Sequence, residues 1–76
     1  MELEYVGCLH RGFYRFNVSE TGIKDFLDGY VDIEVNKKND RINIHGLEHG
    51  GTPRIVTELT KLFNDNKELV RKRMDR

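Results

Sequence analysis

Two alternating runs on either side of a polar tetrapeptide constrain this chain more than any other feature. From Tyr30 to Asn36, Val31, Ile33 and Val35 share one parity, and Tyr30, Asp32 and Glu34 share the other. After Lys37-Lys38-Asn39-Asp40 the alternation resumes, with Ile42 and Ile44 opposed to Asn43 and His45. A period of two with one apolar parity is the mark of a half-buried strand. Two such runs around a short polar turn form an antiparallel hairpin. A sheet with one apolar face needs a second layer to cover it.

The N-terminal segment reads as a second hairpin. Residues 2–9 alternate, with Leu3, Tyr5 and Leu9 on one parity and Val6, Cys8 and His10 on the other. His10-Arg11-Gly12 supplies a turn, and residues 13–18 return with Tyr14, Phe16 and Val18 apolar. Between the hairpins, Ile23, Phe26 and Leu27 follow a possible cap at Ser19 or Thr21, and Gly29 suits a helix end. This pattern predicts a short helix over 20–28, weakened by Gly22.

At the C-terminal end, Thr52 offers an N-cap and Pro53 fits the first helical position. Ile55, Val56, Leu59, Leu62, Phe63, Leu69, Val70 and Met74 trace a stripe at helical spacing, interrupted by Asn66. The spacing predicts one long helix over 53–74, about 33 Å in length at ~1.5 Å per residue. The expectation is a single α+β domain over residues 1–76. Its order is ββαββα, with a four-stranded antiparallel sheet packed on one face by the long helix. The predicted inward set is Leu3, Tyr5, Leu9, Tyr14, Phe16, Val18, Val31, Ile33, Val35, Ile42, Ile44 and the helix stripe.

Composition narrows the function classes. At 76 residues, there is room for one domain and none for a separate cofactor-binding unit. Leu, Ile, Val and Phe together number 22, enough for a core and above the floor for a disordered chain. No stretch approaches the ~20 apolar residues of a membrane span. The N-terminus, with Glu2 and Glu4, does not read as a secretory signal. A single cysteine, Cys8, allows no internal disulfide, and the expectation is a cytoplasmic location.

Lys plus Arg and Asp plus Glu are both 13, so the formal net charge is zero. A dedicated nucleic-acid binder carries a basic excess. The charges are nevertheless uneven. Residues 20–34 hold five acids and one lysine, and residues 67–76, counting Arg76, hold five bases and two acids. Such polarity allows docking of the basic end on an acidic surface of a partner or of a second copy. Arg71 and Arg73 are its candidate contacts, although cations near a helix C-terminus are also favoured by the dipole alone.

One helix covers one side of a sheet, so the other side meets water or a partner. By parity that side carries Val6, Cys8, His10, Phe13, Arg15, Asn17, Tyr30, Asp32, Glu34, Arg41, Asn43 and His45. Aromatic residues and arginines are enriched in interface cores. The leading expectation is therefore a small non-enzymatic protein-interaction module, binding a protein partner or forming a homodimer through Phe13, Arg15, Tyr30, Arg41 and His45. The alternative is weak nucleic-acid binding, with Phe13 and Tyr30 stacking bases, Arg11, Arg15 and Arg41 holding phosphates, and the basic C-terminal helix end adding to them. Asp32 and Glu34 on the same side oppose it. A third reading has the 20–28 segment covering part of this face.

Three further constellations are weaker. Cys8, His10, His45 and His49 are all the Cys and His residues of the chain. They could gather around zinc only if the first and fourth strands lie close. Gly50, Gly51, Thr52 and Arg54 lead into a helix N-terminus and could meet an anion, without the Lys-Ser/Thr of a phosphate-binding loop. Cys8 with His10 could suggest a nucleophile and base, but a shallow sheet face supplies little desolvation. The sequence calls for no metal, cofactor or catalytic set.

Overall fold

A computed structural model describes residues 1–75; Arg76 lies outside the described residues. The chain is α+β, with β1 (Glu2–His10), β2 (Phe13–Ser19), β3 (Gly29–Asn36), β4 (Arg41–Leu47), α1 (Pro53–Asp65) and α2 (Lys67–Met74). The element order is thus ββββαα rather than ββαββα. The four strands form one antiparallel sheet in the order β1-β2-β3-β4.

The apolar parity predicted for the central strands is the one that packs. Leu3, Phe16, Val18, Val31, Ile33 and Ile42 meet Ile55, Leu59, Phe63 and Val70 of the helices in one buried cluster. The Phe16 and Phe63 rings meet nearly edge to face at 6.1 Å, a geometry that aromatic quadrupoles favour. Leu47, beyond the predicted end of the fourth strand, is also buried here.

The segment 20–28 is not a helix. Glu20, Gly22 and Asp25 all adopt positive φ, which a right-handed helix cannot contain. The Thr21 hydroxyl accepts from the Ile23 N–H at 3.1 Å and donates to the Phe26 carbonyl, while the Phe26 N–H returns to the Ile23 carbonyl at 3.0 Å. The threonine side chain therefore closes a compact loop instead of capping a helix. Ile23 and Phe26 both enter the core, while Leu27, the third residue of the supposed helical stripe, is exposed. Arg54 of α1 reaches the Lys24 carbonyl at 2.9 Å. The loop consequently lies on the helical side and leaves the other sheet face uncovered.

The long helix is divided at Asn66, whose φ of −120° and ψ of 31° interrupt the helical path. Its side-chain N–H donates to the Leu62 carbonyl at 2.7 Å, satisfying a terminal carbonyl of α1. A straight rod of about 33 Å would outrun the 29 Å long axis of the molecule. Broken in two, the helices spread across the sheet, with α1 against β4 and α2 against β1. The stripe remains on one side through the break, since Val70 is buried beside Phe63 in the core cluster.

Register irregularities correct the parity of β1. Pairing shifts between Tyr5 and Gly7 and again between Cys8 and His10, making Val6 and Leu9 extra residues in β-bulges. The first bulge places Gly7 beside Arg15 and Cys8 beside Tyr14; the second restores His10 to the row of Phe13. Cys8 is thus moved off the uncovered face to the helix-side row. Leu9, predicted inward, is 44% exposed, and Val6 is 53% exposed.

Candidate interaction face

The uncovered face is built from three rows of paired residues. One runs Glu4, Asn17, Tyr30; the next Gly7, Arg15, Asp32, Gly46; the third His10, Phe13, Glu34, Asn43. Two groupings on it carry defined geometry.

The first is centred on Arg15. Its Nε donates to Asp32 Oδ1 at 2.7 Å and one Nη donates to Oδ2 at 3.0 Å, a two-point grip that fixes the guanidinium plane. The same group lies over the Tyr30 ring at 4.1 Å, within the range of a cation–π contact. Asp32 is only 8% exposed, although its row faces away from the core. It is covered by the side chains around it, and its carboxylate is satisfied by Arg15. The hydrogen bonds that Arg15 donates to Asp32 are the largest influence on its pKa and, against the opposing effect of desolvation and with smaller contributions from the charges of Asp32 and Tyr30, hold it above the ordinary arginine value. Gly46 leaves space beside the carboxylate, where a Cβ would come to 3.6 Å from Oδ2.

The second grouping is aromatic. Phe13 lies between two imidazoles, with ring centroids 4.3 Å from His10 and 4.7 Å from His45. His45 is the extra residue at the shift in β3–β4 pairing, where Asp32 and Ile33 face Gly46 and Ile44. The bulge re-aims its ring across β3 toward β2, which parity alone does not reveal. Phe13 and Tyr30 are half-buried, and His10 and His45 are exposed.

Other predicted site residues separate. Arg41 is on the outer strand and lines a groove with Val56 and Thr60 of α1, away from Arg15. Arg71 pairs with Asp40 in the β3–β4 turn, joined by Lys67 at 3.6 Å from the same carboxylate; Arg73 is exposed on α2. Within the acidic 20–34 stretch, Asp25 meets Arg54 and Asp32 meets Arg15. Much of the charge expected to attract a second copy is therefore paired within the chain.

The condition for the zinc set fails, because β1 and β4 are opposite edges of the sheet. Cys8 Sγ donates to the His10 carbonyl at 3.3 Å, and the His10 ring stacks on Phe13 instead of addressing the thiol. His49 lies beside Glu48 at 3.0 Å. Among the described residues, no group of three or more His, Cys, Asp or Glu is placed to hold a metal ion.

The loop before α1 serves the helix start. Thr52 accepts from the Ile55 N–H at 3.3 Å, and Gly51 passes so close to Leu47 that a Cβ would sit 2.9 Å from its side chain. Arg54 bonds to Glu58 at 2.5 Å and to the 20–28 loop. Gly50 and Gly51 share a depression with Asp25, Asp28 and Glu48, whose carboxylates repel an anion.

Sequence reasoning missed the role of Asp32, which orients Arg15 where simple parity suggested only an unfavourable acid. The signal was present in the opposite charges on facing strands, but required the β2–β3 register. Comparison with known proteins adds no identity: no family model, curated protein or solved structure matches this chain. Among the described residues, no helix is long and apolar enough to cross a membrane.

Proposed function

We propose that this chain is a non-enzymatic protein-interaction module that binds through the uncovered face of its sheet, with a second copy as one partner it can accept. The observation that supports this reading is the pre-set Arg15, gripped by Asp32 and stacked on Tyr30, beside the His10–Phe13–His45 stack. Arginine and aromatic side chains held in fixed rotamers lose little entropy on docking. The face also carries Glu4, Asp32 and Glu34, and its central arginine is already committed to a carboxylate. Phosphate neutralisation, the main source of nucleic-acid affinity, is poorly served by that arrangement.

Paired affinity capture tests the proposal. Wild-type protein and a Phe13→Glu, Tyr30→Glu variant are presented to the same native extract, and bound proteins are quantified alongside sedimentation of each bait. The expected result is a protein, or further copies of the bait, retained by the wild type and lost by a variant that keeps its fold. Between roughly 50 and 200 mM salt the retained complex weakens by less than about tenfold, where a binder making many phosphate contacts would lose ~10³ or more. Equal capture by both baits, or retention of nucleic acid with that steep salt loss, contradicts the proposal.

A further inference from the structure

A cavity of about 540 Å³ opens on the helical side of the sheet, between α2 and the end of the β3–β4 hairpin. Tyr14, Val35 and Ile42 form its sheet wall, and Val70 and Met74, one helical turn apart, form its helix wall. Tyr14, Val35 and Met74 remain half-buried, so the apolar layer is incomplete where α2 passes over the hairpin end. That size and a mainly apolar lining suit a small organic ligand.

The charge at the rim decides which kind of ligand. Two cations, Lys37 and Arg71, line it together with two carboxylates, Asp40 and Asp75. Their charges cancel, and Arg71 already pairs with Asp40. The carbonyl end of α2 lies here too and adds partial negative charge. An anion therefore finds no attractive field, and a cation meets Lys37 and Arg71. A charged head drawn into the recess gives up hydration without an excess of the opposite charge to replace it. A neutral handle is available instead. The Tyr14 hydroxyl has no hydrogen-bond partner among the described residues and is not sealed from solvent, and a phenol can both donate and accept.

We propose that this cavity is a binding site for an uncharged, mostly apolar organic molecule with a single hydroxyl or carbonyl group. The apolar body packs between Val35, Ile42, Val70 and Met74, and the polar group exchanges a hydrogen bond with the Tyr14 hydroxyl. This site is on the opposite side of the sheet from the interaction face, and neither proposal depends on the other.

The chain contains two methionines. Met74 lines the cavity, and Met1 precedes the end of β1 that pairs with Ser19, away from Tyr14. Methyl-¹³C methionine NMR of the full chain reads occupancy directly. The titrants are 1-octanol, octanoate and octylammonium, which share a tail and differ in head charge, each kept below its aggregation concentration. The expected result is a saturable shift of the Met74 methyl by 1-octanol with Met1 unmoved. Both ions should bind more weakly by about tenfold or more, as loss of head-group hydration without a compensating charge implies. Tyr14→Phe should weaken 1-octanol binding by about two- to tenfold, as loss of one neutral hydrogen bond implies. Absence of a saturable Met74 shift, parallel movement of both methyls, an ion that binds as tightly as 1-octanol, or unchanged affinity in Tyr14→Phe would each overturn the proposal.

Discussion

Arg15 shows how one side chain is given a fixed pose on a surface. A free arginine loses substantial rotamer entropy when it is immobilised by a partner. Here Asp32 supplies two acceptors and Tyr30 a ring face, so that cost is met within the fold. The sign of the pH effect follows from the direction of the shift. The folded-state pKa of Arg15 is raised, so its contribution is present below the ordinary arginine value and is lost only as pH rises through the still higher folded value. On the arginine side, the grip is therefore unaffected across neutral pH.

A second residue-scale device is Asn64. Its Oδ1 accepts from the Ile42 N–H at 3.0 Å, and its Nδ2 donates to the Ile42 carbonyl at 2.8 Å and to the Thr60 carbonyl at 2.7 Å. One amide thus imitates a neighbouring strand on the outer edge of β4. Asn64→Ala removes both Ile42 bonds and is expected to destabilise the protein by about 2 kcal/mol. The melting temperature should fall by about 8–16 °C, at ~4–8 °C per kcal/mol for a chain of this size. A melting temperature within a degree or two of wild type would refute this role.

At the scale of elements, the sequence is most legible where one face of a regular element is buried. The alternation of β3 and β4 survives because Val31, Ile33 and Ile42 must all face the same helices. It fails in β1, where bulges at Val6 and Leu9 change the count between strands; Gly7 beside the first is a residue that often accompanies a bulge, while nothing marks the second. The failure at 20–28 has another cause. Ile23 and Phe26 are buried as a helical spacing requires, yet the backbone reaches that placement through positive-φ residues and the Thr21 hydroxyl. Burial was legible, and the path was not. Likewise, the apolar stripe of α1 and α2 was readable, while the turn at Asn66 was marked only by a polar interruption.

The loop therefore predicts a local response. Thr21→Val removes an acceptor and a donor from a half-buried site, costing about 1–3 kcal/mol. Hydrogen exchange at Ile23 and Phe26 should accelerate more than exchange in the β3–β4 ladder. Uniform acceleration across both regions would show that the loop is not closed locally by this hydroxyl.

At the scale of the whole molecule, coverage is asymmetric. Both helices and the 20–28 loop lie on one side, joined by Arg54 to the loop and by Arg71 to the β3–β4 turn. The sheet edges are protected separately, β4 by Asn64 and β1 by two bulges with Glu2 and Glu4 along it, devices that discourage strand-to-strand extension. With both edges protected, the contact proposed above falls to the uncovered face of the sheet. Of the candidate site, Phe13, Arg15 and Tyr30 were readable from parity; the side of the sheet that His45 takes was readable too, but its contact with Phe13 needed the bulge, and Arg41 and Arg71 were separated from them by tertiary packing.

The most direct measurement is solvent paramagnetic relaxation of aromatic side chains by a soluble neutral probe, on dilute monomeric protein. The rings of His10, Phe13, Tyr30 and His45 should relax markedly faster with the probe, while those of Phe16 and Phe63 stay shielded. Shielding of Phe13 and Tyr30 to the level of Phe16 would mean that the face is closed within the monomer, contradicting its assignment as the contact surface.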